Sequence, residues 1–398
     1  MNRLKTRVTA IVSFFAFIGS VNAQNPQQIN VLTTAVPFLR ISPDARAGGM
    51  GDIGVATSPD AASSFYNLAK TPFAKKDIGI GFTYTPWLKD LGLNDVYLLA
   101  ASGYYKLSPN EAISGSIRYF SLGTIQFTDY SGNEVGNGRP RELGADIGYS
   151  RKLGDKLALA LAARYIYSNL ASGAASSSST YKAGTSVAAD VSVYYHGATE
   201  VKGGWNFGLA FTNLGEKIGY TNAATEKDYI PADLGLGAAY TKVFDEDNRV
   251  TFGLDFHKLL VPSAPLSVDN GGPIDIAALA AYKSKPVVSS WFSSFGGDGG
   301  FSGQLKLVQA SLGAEYAYQD QFFLRTGYFY ESNTNGGRKY FSVGVGIKYN
   351  VMGLNFSYLV PSGSGTTRSP LSNTLRFGLT FDLDKDENSS STPVTPTK

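Results

Sequence analysis

The side chains with chemical potential are few and widely spaced. There are two histidines, His196 and His257, and no cysteine in 398 residues, which removes disulfides, thiolate metal sites and thiol nucleophiles. His257 follows Asp255 by two positions, a spacing that puts both on one face of a strand but gives no triad geometry. No G-x-S-x-G elbow or H-E-x-x-H helix occurs, and the carboxylates are scattered singly, so no acid pair, calcium loop or metal site is expected. Gly49-Met50-Gly51-Asp52-Ile53-Gly54 matches G-x-G-x-x-G, yet no hydrophobic strand precedes it and no βα alternation follows. Those glycines instead fit backbone that turns tightly and packs close to a wall. Neither a catalytic residue nor a cofactor is assigned.

What must position these residues is a chain built for alternation. Charged residues make up 17%, against roughly 25% in soluble proteins, while Gly (45), Tyr (24) and Phe (24) are abundant. The net charge of +3 advertises no nucleic-acid partner. From Lys76 onward the dominant period is two, as in Phe341, Val343, Val345, Ile347 and Tyr349 against Tyr340, Ser342, Gly344, Gly346 and Lys348. About fourteen such runs occur, an even number as closed bacterial barrels require. They lie near 76–86, 94–107, 110–123, 139–152, 155–169, 181–197, 202–214, 231–243, 248–260, 303–319, 321–332, 338–349, 352–361 and 372–384.

Short turns (Ser108-Pro109, Gly154-Asp155, 197–201, 245–247, Asp320, Asn350) alternate with long connections (87–93, 124–138, 170–180, 215–230, 261–302, 333–337, 362–371). Outer-membrane barrels alternate periplasmic turns and external loops in this way, which places both termini in the periplasm. A soluble sandwich would carry a solvent face rich in Lys, Glu and Thr. Here the polar parity is small and sparse, with single charges at Arg118, Asp146, Arg164, Asp190, Asp255, Glu315, Arg325 and Arg376 that suit a filled lumen. Tyr104, Tyr105, Tyr165, Tyr167, Tyr194, Tyr195, Tyr328 and Tyr330 sit near strand ends and read as interfacial girdles. The expected fold is all-β, a transmembrane antiparallel barrel of about fourteen strands with a small lumenal hatch containing a short helix.

Residues 1–23 combine a basic start (Arg3, Lys5, Arg7), an apolar run and Val21-Asn22-Ala23, which reads as a secretory signal peptide. Residues 24–75 form the hatch, 76–384 the barrel and 385–398 a polar tail. Within the hatch, Ser58-Pro59-Asp60 resembles a helix start that would carry Ala61, Phe65, Leu68 and Ala69 on one face. Arg40, Asp44, Arg46 and Asp52 need partners in a lumen, and the lumenal charges can supply them. The longest external excursion, 261–302, carries apolar spots at 274–281 and at Trp291, Phe292 and Phe295, either a packed lid or a docking surface.

Ala45-Arg46-Ala47-Gly48-Gly49-Met50-Gly51, with Val55-Ala56, Asp60-Ala61 and Asn67, resembles the N-terminal hatch of FadL-like fourteen-stranded outer-membrane barrels. More narrowly, Phe38 to Asp60 is similar to the PorV (LptO) family of type IX secretion, with further likeness at 255–262, 325–332, 338–341, 356–359 and 373–381. Asn67-Leu68-Ala69 stands where such hatches commonly have Asn-Pro-Ala. The resemblance implies a non-catalytic carrier in the outer membrane, among its lipid and lipopolysaccharide. Such a carrier binds the C-terminal signal domain of exported cargo at the translocon barrel and passes it to a sortase-like attachment complex. The alternatives are a FadL-like transporter of hydrophobic small molecules and, from the LptO name, an O-deacylase.

Overall fold

The computed structural model describes residues 32–385 except 90–91, 129–130, 172–180, 223–226, 266–274, 297–299 and 361–372. The signal peptide, the start of the hatch, most of the 170–180 loop, the 362–371 loop and nearly all of the polar tail lie outside the described residues. Fourteen antiparallel strands close into one barrel. In chain order they are β1 (Ile78–Pro86), β2 (Val96–Ser108), β3 (Glu111–Leu122), β4 (Arg141–Lys152), β5 (Leu157–Asn169), β6 (Gly184–His196) and β7 (Gly204–Gly215). They continue as β8 (Asp233–Val243), β9 (Asn248–Leu259), β10 (Val308–Tyr318), β11 (Phe322–Tyr330), β12 (Lys339–Tyr349), β13 (Met352–Val360) and β14 (Leu375–Leu383). The seam pairs β1 with β14, Ile78 opposite Leu383 and Tyr84 opposite Phe377, so no edge is left unpaired.

The apolar parity faces outward: Phe82, Ile117, Ile147, Leu161, Leu312 and Leu324 are all exposed, as a bilayer-facing band requires. The other parity is buried and carries Arg118, Asp146, Arg164, Asp190, Asp255, Glu315, Arg325 and Arg376 into the interior. Alternation also corrects the tyrosine assignment. Tyr105 and Tyr195 face outward near the short-turn end, with Trp205 stacked on Phe207 beside Tyr195. Their chain neighbours Tyr104 and Tyr194 are buried on the lumenal face, because adjacent strand residues cannot share a side.

The run expected from 303 begins instead as a helix, and extended pairing starts at Val308, opposite Lys258. Strand β9 ends one residue later, at Leu259, so nothing upstream of Val308 has a ladder partner there.

Inside the barrel the described part of the hatch contains one short α-helix, α1 (Ala45–Gly49), capped by the Asp44 carboxylate accepting from Ala47 N at 2.8 Å. The helix expected from Ser58 does not form. Two 3-10 turns, Ser63–Phe65 and Leu68–Phe73, take its place. Asp60 accepts from Ala62 N at 3.1 Å, and Asn67 accepts from Ala69 N at 3.0 Å while its amide donates to Val55 O and Val193 O, both at 3.0 Å. These side-chain bonds restart the chain every few residues and hold it along the wall.

The hatch also threads the lumen from end to end. Ala74 to Asp77 lead into β1 at the short-turn end, as expected for entry from the periplasmic rim. The first described residues lie at the opposite, long-loop end, where Ala35 N donates to Tyr229 O at 2.9 Å. There Val36, Phe38 and Leu39 pack with Trp87, Leu98, Phe120 and Ile218 in the largest apolar cluster.

Candidate functional site

Two features stand out on this frame: the seal between hatch and wall, and the helices that project from the longest loop.

The seal is close-packed backbone and ions. Gly51 has φ +71°, a conformation that favours glycine, and it lies against Tyr328 N and Leu312 O of the wall. Opposite it, a methyl group added at Gly327 would land on Gly51 N, and one at Gly313 on Met50 O. Hatch glycines therefore meet wall glycines, and Met50 is fully buried between them. The fingerprint-like spacing serves this approach and cradles no phosphate.

Around this contact the charges pair. Arg46 forms a two-pronged bond to Glu315 of β10, Nε to Oε2 at 3.0 Å and an Nη to Oε1 at 2.8 Å, and also donates to Asp60 at 2.8 Å. Glu315 accepts from Arg325 of β11 at 2.7 Å, and Arg325 reaches Asn355 of β13 at 2.8 Å. Asp52 accepts from Arg376 at 2.6 Å and from the Tyr340 hydroxyl at 2.5 Å. Asp255 accepts from two successive hatch amides, Gly54 N at 2.7 Å and Val55 N at 2.9 Å. Arg118 donates to Leu39 O at 2.7 Å and Phe65 O at 3.2 Å. Arg164 bonds Asp146 at 3.1 Å and Asp190 at 2.8 Å, which ties wall strand to wall strand. Arg40 sits 3.6 Å from Glu331.

Sequence reasoning missed three members. Lys70 is buried in the hatch and donates to Gly54 O at 2.7 Å and to the Thr57 hydroxyl at 3.2 Å. Burial lowers its pKa to about 8 against the opposing pull of Asp60. Glu331, also buried, bonds Arg338 at 2.7 Å, and Tyr340 is the hydroxyl partner of Asp52. A single lysine among apolar residues carries no sequence mark of burial, and Glu331 lies just beyond β11 where alternation stops.

His257 bonds Asp233 at 2.6 Å, a partner the Asp255 spacing did not indicate. Asp233 is its sole hydrogen-bond partner among the described residues, so no hydroxyl nucleophile is placed on this pair. Above the hatch a lumenal cavity of about 130 Å³ is lined by Arg40, Arg118, Arg338, Arg376, Trp87 and Phe65. The described residues contain no cluster of three potential metal ligands.

The second feature is α2 (Ile276–Ser284), α3 (Val287–Ser293) and α4 (Gly300–Leu305) in the connection between β9 and β10. The segment IAALAAYKS is apolar nearly all round, yet none of its residues is buried. The three aromatic candidates separate. Phe292 is 74% exposed, Phe295 is 50% exposed with the Lys258 ammonium over its ring, and Trp291 turns under the helices into a groove.

A closed, plugged barrel with an apolar outer band and long loops at one end is a β-barrel protein of the outer membrane. Residues 23–266 match the family described as type IX secretion system protein PorV. That match spans more than half of the chain; the chain belongs to this family and is an outer-membrane component of type IX secretion. Among solved structures it is similar to the Ralstonia pickettii toluene transporter TbuX, at 10% identity over 86% of this chain and 98% of that one, with a TM-score of 0.48. The Pseudomonas putida toluene transporter TodX is 12% identical over 90% and 100%, with a TM-score of 0.48. A Pseudomonas aeruginosa FadL homologue is 12% identical over 89% and 100%, with a TM-score of 0.44. No curated protein matches the chain.

Proposed function

We propose that this protein is a non-catalytic carrier. It binds the C-terminal signal domain of exported cargo at the type IX translocon barrel and delivers the cargo to a sortase-like attachment complex at the cell surface. The observation that carries this reading is the contrast between the two ends of the site. The lumen is filled by a hatch held through Arg46, Asp52 and the amides that donate to Asp255, whereas the loop side presents the exposed rings of Phe292 and Phe295. A sealed lumen is a poor conduit, and an exposed apolar cluster is a docking surface. Phe292 and Phe295 are the proposed anchors, aromatic side chains being the usual hot spots of interfaces.

On this reading residues 1–23 are the export signal, 24–75 the hatch and 385–398 a periplasmic tail. Transport of hydrophobic small molecules is the alternative, and it has less support from a lumenal cavity of about 130 Å³ lined by four arginines. Replacing Phe292 and Phe295 together with Ala is expected to reduce cargo pull-down and surface attachment severalfold while the barrel stays folded. Unchanged pull-down and attachment would remove these two anchors.

A further inference from the structure

A groove of about 1510 Å³ runs between α2–α3 and the wall at β6–β7, exceeding the roughly 300–1,000 Å³ of ordinary small-molecule pockets. Its floor includes Val187 and Ala189, which lie on the outward parity of β6, with Val187 59% exposed. Val187 is three residues from the loop end of its strand, roughly 10 Å at a strand's rise per residue. The floor therefore belongs to the outward, membrane-facing side of the barrel near its loop end. A register shift between Ala189 and Val191 bends the wall here. The roof is apolar: Leu279, Val288 and Trp291 face the same space.

The rim is cationic. Among the described residues, Lys217, Lys227, Lys283 and Lys285 line the groove with one acid, Glu216. Lys217 is used structurally, donating to Lys283 O at 2.7 Å and Lys285 O at 2.8 Å, which ties the two helices together. Lys283 stands 3.6 Å from Asp228. Lys227 and Lys285 form no ion pair among the described residues. An apolar trough on the outward side of the barrel near its loop end, edged by ammonium groups, matches an amphiphile with several acyl chains and a phosphorylated head.

We infer that this groove binds the phosphorylated, multiply acylated glycolipid of the outer leaflet, with acyl chains between Val187 and Leu279 and a phosphate between Lys227 and Lys285. The inference uses the outer-membrane location and stands apart from the carrier reading. It also accounts for an apolar helix with no buried residue, since α2 is covered once lipid fills the groove.

The test uses the full chain in detergent micelles and three fluorescent lipids of matched chain length: bisphosphorylated lipid A, dephosphorylated lipid A and phosphatidylglycerol. Wild type is expected to hold bisphosphorylated lipid A at least about tenfold more tightly than either control, with affinity falling as salt rises. Lys227→Glu with Lys285→Glu is expected to weaken that binding roughly tenfold or more. Leu279→Asp is expected to abolish it while heat-modifiable mobility of the barrel is retained. Equal binding of the three lipids by wild type overturns the inference whether or not a variant folds. So does lipid A binding unchanged in both variants, including the case where Leu279→Asp instead loses a protein partner.

Discussion

Arg46 of the hatch and Glu315 of β10, 269 positions apart, form a two-pronged ion pair inside the barrel. It fastens the plug to the wall where Arg325 already neutralises the same carboxylate. Removing Arg46 leaves the Asp60 carboxylate without its ion-pair partner, while Glu315 keeps Arg325. Arg46→Ala is expected to destabilise hatch and barrel by about 3–5 kcal/mol in denaturant unfolding. Replacing Arg46 with Met and Glu315 with Leu together should recover none of that loss, because the buried Arg325 then also lacks its carboxylate. A loss below about 1 kcal/mol for Arg46→Ala would mean that the pair is solvated as surface bridges are.

Gly327→Val tests the backbone seal. Its side chain would collide with Gly51 N and Met50 C, neither of which can swing aside as a flexible side chain would. Overpacking of this kind costs about 1–3 kcal/mol, so the hatch should loosen and become accessible to protease added from the periplasmic side. Unchanged protease resistance would place the seal elsewhere.

Lys70 makes the hatch sensitive to alkaline pH. Its folded pKa of about 8 lies below the ordinary 10.5, so between those values the unfolded chain carries a proton that the folded chain lacks. Stability contributed by this group therefore rises with pH across that window, by about 3 kcal/mol in total. The measurement is unfolding free energy at pH 7.5 to 10 for wild type and Lys70→Met. The difference between the two slopes should be positive for wild type, and parallel curves would contradict the burial of a charged Lys70.

Deleting Phe38 to Phe73 strips Glu315, Asp255 and Arg376 of their hatch partners. Single-channel conductance in planar bilayers should then rise from near zero to that of an open barrel, provided that heat-modifiable mobility shows the strands still paired. Conductance that stays at the wild-type level would mean that loops, not the hatch, close the lumen.

The strands were legible because alternation is a one-dimensional signal. Phe341 to Tyr349 shows which parity meets lipid, and the same alternation in their own strands puts Glu315 and Arg376 in the lumen. The same rule, left unapplied to neighbours, wrongly put Tyr104 beside Tyr105 and Tyr194 beside Tyr195 in the girdles. The hatch was legible in composition but not in path. Its caps are Asp44 and Asn67, and Ser58-Pro59 looked equally like a cap; what decides is the wall, since Asn67 reaches Val193 and Asp255 gathers Gly54 and Val55. Contacts between residues hundreds of positions apart, such as Tyr340 with Asp52, leave no local trace. Nor does the passage of Val36 and Phe38 to the loop end, which follows from a closed apolar cluster there.

The role proposed for this sealed barrel is that of a carrier working through its loop face in type IX secretion. Its most direct measurement is affinity purification of the tagged, full-length protein from detergent-solubilised outer membranes, followed by identification of everything retained. Recovery of a very large translocon barrel together with secreted proteins that share one C-terminal domain is the predicted result. Purification of intact, folded barrel with lipid alone and no such proteins, from cells that are actively secreting, would contradict it.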